Sequence, residues 1–186
     1  LTSVKLIETP FAYKNYPVTA TTAQITAVTA LLTPLTNVAT TLWPAIYTPG
    51  TPPTGLLGVL LNTTIPTAYA TAGLTPTAAV NTAIAVVNTA ALAVDTAITA
   101  LTDEIATVTS VLALATDLTT SLLCSTLKDL LKVIQSLITA INALLAALAA
   151  LIALLPQAVS ILVLAAYNAI VAAVNVILTD LNSSIT

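Results

Sequence analysis

The sequence predicts an all-α protein. It reads as an elongated antiparallel bundle of about four helices, with heptad-like packing and a long Pro/Gly loop after the first helix. Three observations predict this. Apolar residues recur alternately three and four apart at Val80, Ile84, Val87, Ala91, Val94, Ile98, Leu101, Ile105, Val108 and Leu112. They recur again at Leu127, Leu130, Ile134, Leu137, Ile141, Leu144, Leu148, Leu151 and Leu155. That spacing keeps one stripe of a helix against a neighbour along its length. The opposite faces hold Ala, Thr and Asn, where an ordinary soluble helix carries Lys and Glu. Glycine and proline, finally, concentrate in residues 44–75, which hold all four glycines.

Each element follows in order. Residues 1–17 (LTSVKLIETPFAYKNYP) carry two lysines, three aromatics and two prolines, and read as an extended arm. Residues 18–43 return to helical spacing through Val18, Ile25, Val28, Leu32, Leu35 and Leu42. Pro34 interrupts them: it kinks this first helix, or it opens a short second one with Thr33 as the cap. Residues 44–75 read as a Pro/Gly-rich loop with one short apolar segment, Leu56 to Leu61. Residues 76–186 form the bundle core, in one domain with 18–43. Thr75-Pro76 gives its first helix a capping hydroxyl and a proline in the first turn. A weak heptad repeat follows, with Asn81, Asn88 and Asp95, and Thr82, Thr89 and Thr96, each seven apart. Ser and Thr in ATDLTTSLLCST lower helix propensity and place a turn within 116–126. The third helix runs from about Thr126 to Leu155. Pro156 ends it, and the fourth runs from about Ala158 to Leu181.

Composition narrows function by exclusion. Charged residues make up 6% of the chain and hydrophobic residues 58%, with a mean hydropathy of +1.03 and a net charge of −3. Typical domains are roughly 25% charged. No basic patch exists to neutralise phosphates, so no nucleic-acid partner is expected. Histidine is absent, and the carboxylates Glu8, Asp95, Asp103, Glu104, Asp117, Asp129 and Asp180 are thinly spread. Neither a nucleophile–base pair nor a metal-ligand set emerges, and no phosphate-loop or dinucleotide pattern occurs. The expectation is a non-enzymatic protein without cofactor or metal. Lys128, Asp129 and Lys132 read as a solvated cluster.

Methionine is also absent. The expectation is an N-terminus processed by signal-peptide removal, and an extracellular or cell-surface location. Asn62-Thr63-Thr64 and Asn182-Ser183-Ser184 are candidate N-glycosylation sequons in expected loop or chain-end positions. Cys124, the lone cysteine, sits beside Leu122, Leu123 and Leu127. It reads as a small core residue, or as half of an intermolecular disulfide in a secreted oligomer. Phe11, Tyr13, Tyr16, Trp43, Tyr47 and Tyr69 fall in the first 69 residues, where they plug the bundle ends or anchor a subunit interface.

Three functions compete. The first is a secreted structural or interfacial protein, a filament, coat, film or foam subunit. Its uncharged apolar helices self-associate into a homo-oligomer or polymer, or meet a lipid or other apolar interface. The second is a bundle that carries apolar ligands such as lipids. The third is a membrane protein with a helical hairpin at 137–178, because no charge occurs between Lys132 and Asp180. Asn142, Asn168 and Asn175 weigh against that hairpin. The segment STLKDLLKVIQSLITAINALL (125–145) resembles small secreted fungal proteins that coat hydrophobic surfaces, on about a ninth of the chain and in low-specificity helix residues. No site residue is carried over from that resemblance.

Overall fold

The computed structural model describes residues 18–114 and 117–185. The expected arm at 1–17, with Phe11, Tyr13 and Tyr16, lies outside them. Five helices make up the described chain: α1 (Thr22–Ile46), α2 (55–72), α3 (Ala78–Leu112), α4 (Thr120–Leu154) and α5 (Gln157–Ile185). Among the described residues, pairing outside helices is limited to two isolated bridges.

Threonine caps three of the four long helices, α1, α3 and α4. Thr21 and Gln24 form a reciprocal capping box at α1, at 3.1 and 2.8 Å. Thr77 accepts the Val80 N–H at α3, and Thr119 accepts the Leu122 N–H at α4. The α3 cap is therefore Thr77, two residues past the expected Thr75. α4 likewise begins at Thr120, inside the stretch 116–126 where the turn was expected. The second part of the Ser/Thr-rich stretch, from Thr120 to Thr126, lies inside α4, where its hydroxyls can bond locally. Thr126, for example, donates to the Leu122 carbonyl at 2.8 Å.

The largest departure from expectation is at 44–75. It holds a helix of four turns or more, and the loop proper is only the segment between Ile46 and Gly55, tied by the Thr48–Thr54 bridge. Prolines hid this helix. Pro44 and Pro66 each follow a widened, π-type turn, Val38–Leu42 and Leu60–Thr64. In both turns the residue before the proline reaches back five positions: Trp43 N–H to the Val38 carbonyl, and Ile65 N–H to the Leu60 carbonyl. A proline supplies no N–H and its ring collides with the carbonyl four residues back. The wider turn lets the helix continue past it. Pro34 is accommodated inside α1 just before the first such turn, so it neither ends the helix nor starts another.

The two widened turns belong to a repeat offset by 22 residues. Leu35, Val38, Ala39, Trp43 and Tyr47 are buried, and so are Leu57, Leu60, Leu61, Ile65 and Tyr69 at the matching positions. The side chains of Thr40 and Asn62 occupy one register and bond the carbonyls four residues back. α1 and α2 are thus successive halves of one column running along α5. The bundle is four columns, up-down-up-down: α1 with α2, then α3, α4 and α5.

Contacts fix the two ends. Val18 and Ala20 pair with Thr120 and Leu118 at one end, near where Ser184 of α5 lines a pocket together with Leu127 and Leu131 of α4. Gly73, in the left-handed conformation (φ 70°), closes α2 at the opposite end. The α4–α5 turn at Leu155-Pro156 lies at that end too, beside the start of α3. The core runs the full length. In α4 it takes Leu123, Leu130, Ile134, Leu137, Ile141, Leu144, Leu148 and Leu151, the residues of the sequence stripe joined by Leu123. Trp43, Tyr47 and Tyr69 are all within it. None faces outward as an interface anchor; Trp43 and Tyr47 lie mid-bundle, and Tyr69 is buried one turn from the end that Gly73 closes.

Candidate interfacial surface

Charge is segregated along the bundle axis. Among the described residues the charged side chains are Asp95, Asp103, Glu104, Asp117, Lys128, Asp129, Lys132 and Asp180. All but Asp95 lie toward the end where α3 meets α4, and Asp95 sits at the middle of α3. Residues 18–94 and 133–179 carry none, so α1 is uncharged along its whole length as well. α2, the first half of α3, most of α4 beyond Lys132 and most of α5 therefore form a charge-free end. It measures about 25 Å along α3 and about 33 Å along α4, at 1.5 Å per residue.

That end is apolar on the outside as well as within. Ile161 is 65% exposed and Val86 52%, and Leu74, Leu92, Leu154, Leu162 and Leu164 are exposed alongside them. Only 22–28% of residues in the most apolar stretch of each long helix are fully buried; others, such as Ile84 and Ile138, pack partly buried against the core. Threonine adds to the apolar exterior. The hydroxyls of Thr89, Thr139 and Thr179 donate to carbonyls four residues back at 2.9–3.0 Å. A hydroxyl spent on its own helix needs less from solvent. Four helices are long and apolar enough to cross a membrane by length and composition: α1, α3, α4 and α5.

The charged end exposes apolar side chains too, Val18, Leu114, Leu122 and Leu131 among them, but it carries charges beside them. Lys128, Asp129 and Lys132 are exposed on α4. Glu104 of α3 faces Asp129 across the α3–α4 seam; partial burial, and then the Asp129 charge, push its carboxyl above the usual range. Asp95 accepts the Trp43 indole N–H at 3.0 Å, tying α1 to α3. The carboxylates stay dispersed, and among the described residues no group of three or more His, Cys, Asp or Glu could hold a metal.

Cys124 is exposed, which overturns its reading as a core residue. It lines an open trough of about 510 Å³ between α1 and α4, with Val28, Leu123, Leu127 and Leu131 as walls and Lys128 at the rim. A second trough of about 430 Å³, lined by Ala85, Val86, Ala90 and Ala147 among others, runs between α3 and α4 at the charge-free end. Both open to the surface along their length. Asn62 is exposed but sits inside the widened turn of α2, with its amide donating to the Gly58 carbonyl, in place of the expected loop. Asn182 is exposed in the last turn of α5.

Sequence reading found the apolar stripe but missed the segregation of charge, which needs the antiparallel order of columns to become visible. The uncharged stretches between Lys14 and Asp95 and between Lys132 and Asp180 were its linear signs. The chain matches no protein-family model, and no curated protein and no solved structure matches it.

Proposed function

We propose that this is a non-enzymatic structural protein of extracellular interfaces, which works by spreading at, or associating through, uncharged apolar helix surface. The observation that carries this reading is the outward apolar surface of a folded bundle. Residues such as Ile161, Leu162 and Leu164 are exposed on helices that have already closed a continuous core. Surface of that kind finds a partner, either another copy or an apolar phase. The low net charge offers little repulsion against assembly. The open shape of the troughs favours this reading over a carrier, which would enclose its ligand.

Pendant-drop tensiometry with electron microscopy of the same material tests it. The expected result is a marked fall in surface tension at micromolar protein, together with films or polymers. A monodisperse particle that leaves the tension of water unchanged would refute it.

A second reading is favoured by the length and apolarity of the helices: a membrane protein with residues 137–178 embedded as a hairpin. A species that stays soluble without detergent and sediments at a defined size counts against that reading.

A further inference from the structure

We propose that the apolar phase is the hydrocarbon of a phospholipid bilayer, and that the bundle enters it end-on, with the charge-free end leading and the Asp103–Lys128 end in water. This rests on the interfacial reading above and names its partner and orientation.

The first argument is charge. A charged side chain at the bilayer centre costs about 2.5–3.5 kcal/mol on insertion scales, and the leading end has none. The nearest, Asp95, lies about 25 Å from the start of α3, where the Trp43 indole bonds it. The second argument is length. The charge-free stretches of α3, α4 and α5 measure about 25–35 Å, against about 30 Å for bilayer hydrocarbon. A flat film or a contact between two copies sets no such length. The third is the tip. Leu154, Ile161, Leu162 and Leu164, all exposed, surround the short α4–α5 turn, and Gly73–Thr77 beside it is uncharged. Backbone exposure is limited because α2, α3, α4 and α5 are helical up to these turns. Four helix ends therefore enter together, and this separates the proposal from a two-helix hairpin.

The native thiol makes the test direct. Cys124 is exposed at the water end. Full-length protein is labelled there with an environment-sensitive fluorophore. The same label is placed at Ile161→Cys and, separately, at Val86→Cys, both in a Cys124→Ser background. Each protein is mixed with phosphatidylcholine vesicles carrying brominated acyl chains, with circular dichroism confirming the fold.

The expected result is strong quenching at 161 and at 86, and little at 124. Quenching at 161 without 86 overturns the proposal in favour of the hairpin. Equal quenching at all three positions overturns the orientation, since the bundle then lies flat. Absence of vesicle binding overturns the bilayer as partner. If the protein nevertheless lowers surface tension, the interfacial reading survives that failure; if it does neither, both fall. Shielding of 161 and 86 in lipid-free polymers, with no lipid quenching, assigns the tip to a second copy and also overturns the proposal.

Discussion

Trp43 ties the first column to α3 through a single bond to Asp95, and its ring lies 5.8 Å from that of Tyr47. Trp43→Phe keeps the apolar packing but leaves a half-buried carboxylate without its donor. The expected loss is about 1.5–3 kcal/mol, read by denaturant unfolding. A neutral result would mean that water replaces the indole at no cost. Glu104 has the opposite character. Its folded pKa is raised by burial and by Asp129, so between its unfolded and folded values the folded chain holds a proton that the unfolded chain has lost. Its contribution is present at low pH and is lost as pH rises through the folded value. Glu104→Gln should therefore raise the thermal midpoint at neutral pH and flatten its decline above the carboxylate range. A lower midpoint at pH 7 would contradict the assigned repulsion.

At the scale of the element, α2 is the informative case. Linear reading recovered α3, α4 and α5 because their buried positions keep one spacing for several heptads, as from Leu130 to Leu151. It lost α2 because Gly55, Gly58 and Pro66 all argue for a loop when weighed locally. Each has a tertiary reason instead. Gly58 lets the helix lie against the Pro53 carbonyl, and at Gly55 (φ 86°) a Cβ would come within 2.6 Å of the Ile46 carbonyl oxygen. Pro66 is absorbed by the widened turn ahead of it. The repeat that aligns Val38 with Leu60 and Pro44 with Pro66 was in the sequence, but it declares itself only once the burial is known. Gly58→Ala forces its Cβ into backbone that cannot yield without moving the 48–54 loop. It should destabilise by about 1–3 kcal/mol, visible in thermal unfolding. An unchanged midpoint would mean that the loop moves freely.

At the scale of the whole molecule, the sequence supplied the amount of apolar surface and the structure supplied its direction. Had Asp103, Glu104, Lys128 and Asp129 been spread over both ends, the same composition would describe a uniformly sticky rod. The exposed Asn142, Asn168 and Asn175 are the opposing cost in an apolar phase, and Ile161, Leu162 and Leu164 must outweigh them. Ile161→Lys should leave folding intact, since the side chain is 65% exposed. It should weaken adsorption to an air–water or lipid surface about tenfold or more, measured from the concentration that half-saturates the surface. Leu131→Lys, on exposed α4 surface at the charged end, should change adsorption little. Equal effects at both positions would show that the ends are not distinct. Association between copies should respond weakly to salt, because few charges are available to be screened. Sedimentation at low and high ionic strength checks this.

The widened turns have a kinetic corollary. α3 and α4 are joined by a short turn and pack along their whole length, so their contacts close early at small entropic cost. The α1–α2 column has two relaxed turns, three internal prolines and an intervening loop, and its partners are distant in sequence. It closes last in folding and, by the same ordering, opens first. Amide exchange should reach the backbone at 38–42 and 60–64 long before the centres of α3 and α4. On this ordering, the α1–α2 column is expected to open as a unit while the α3–α4 hairpin stays shut.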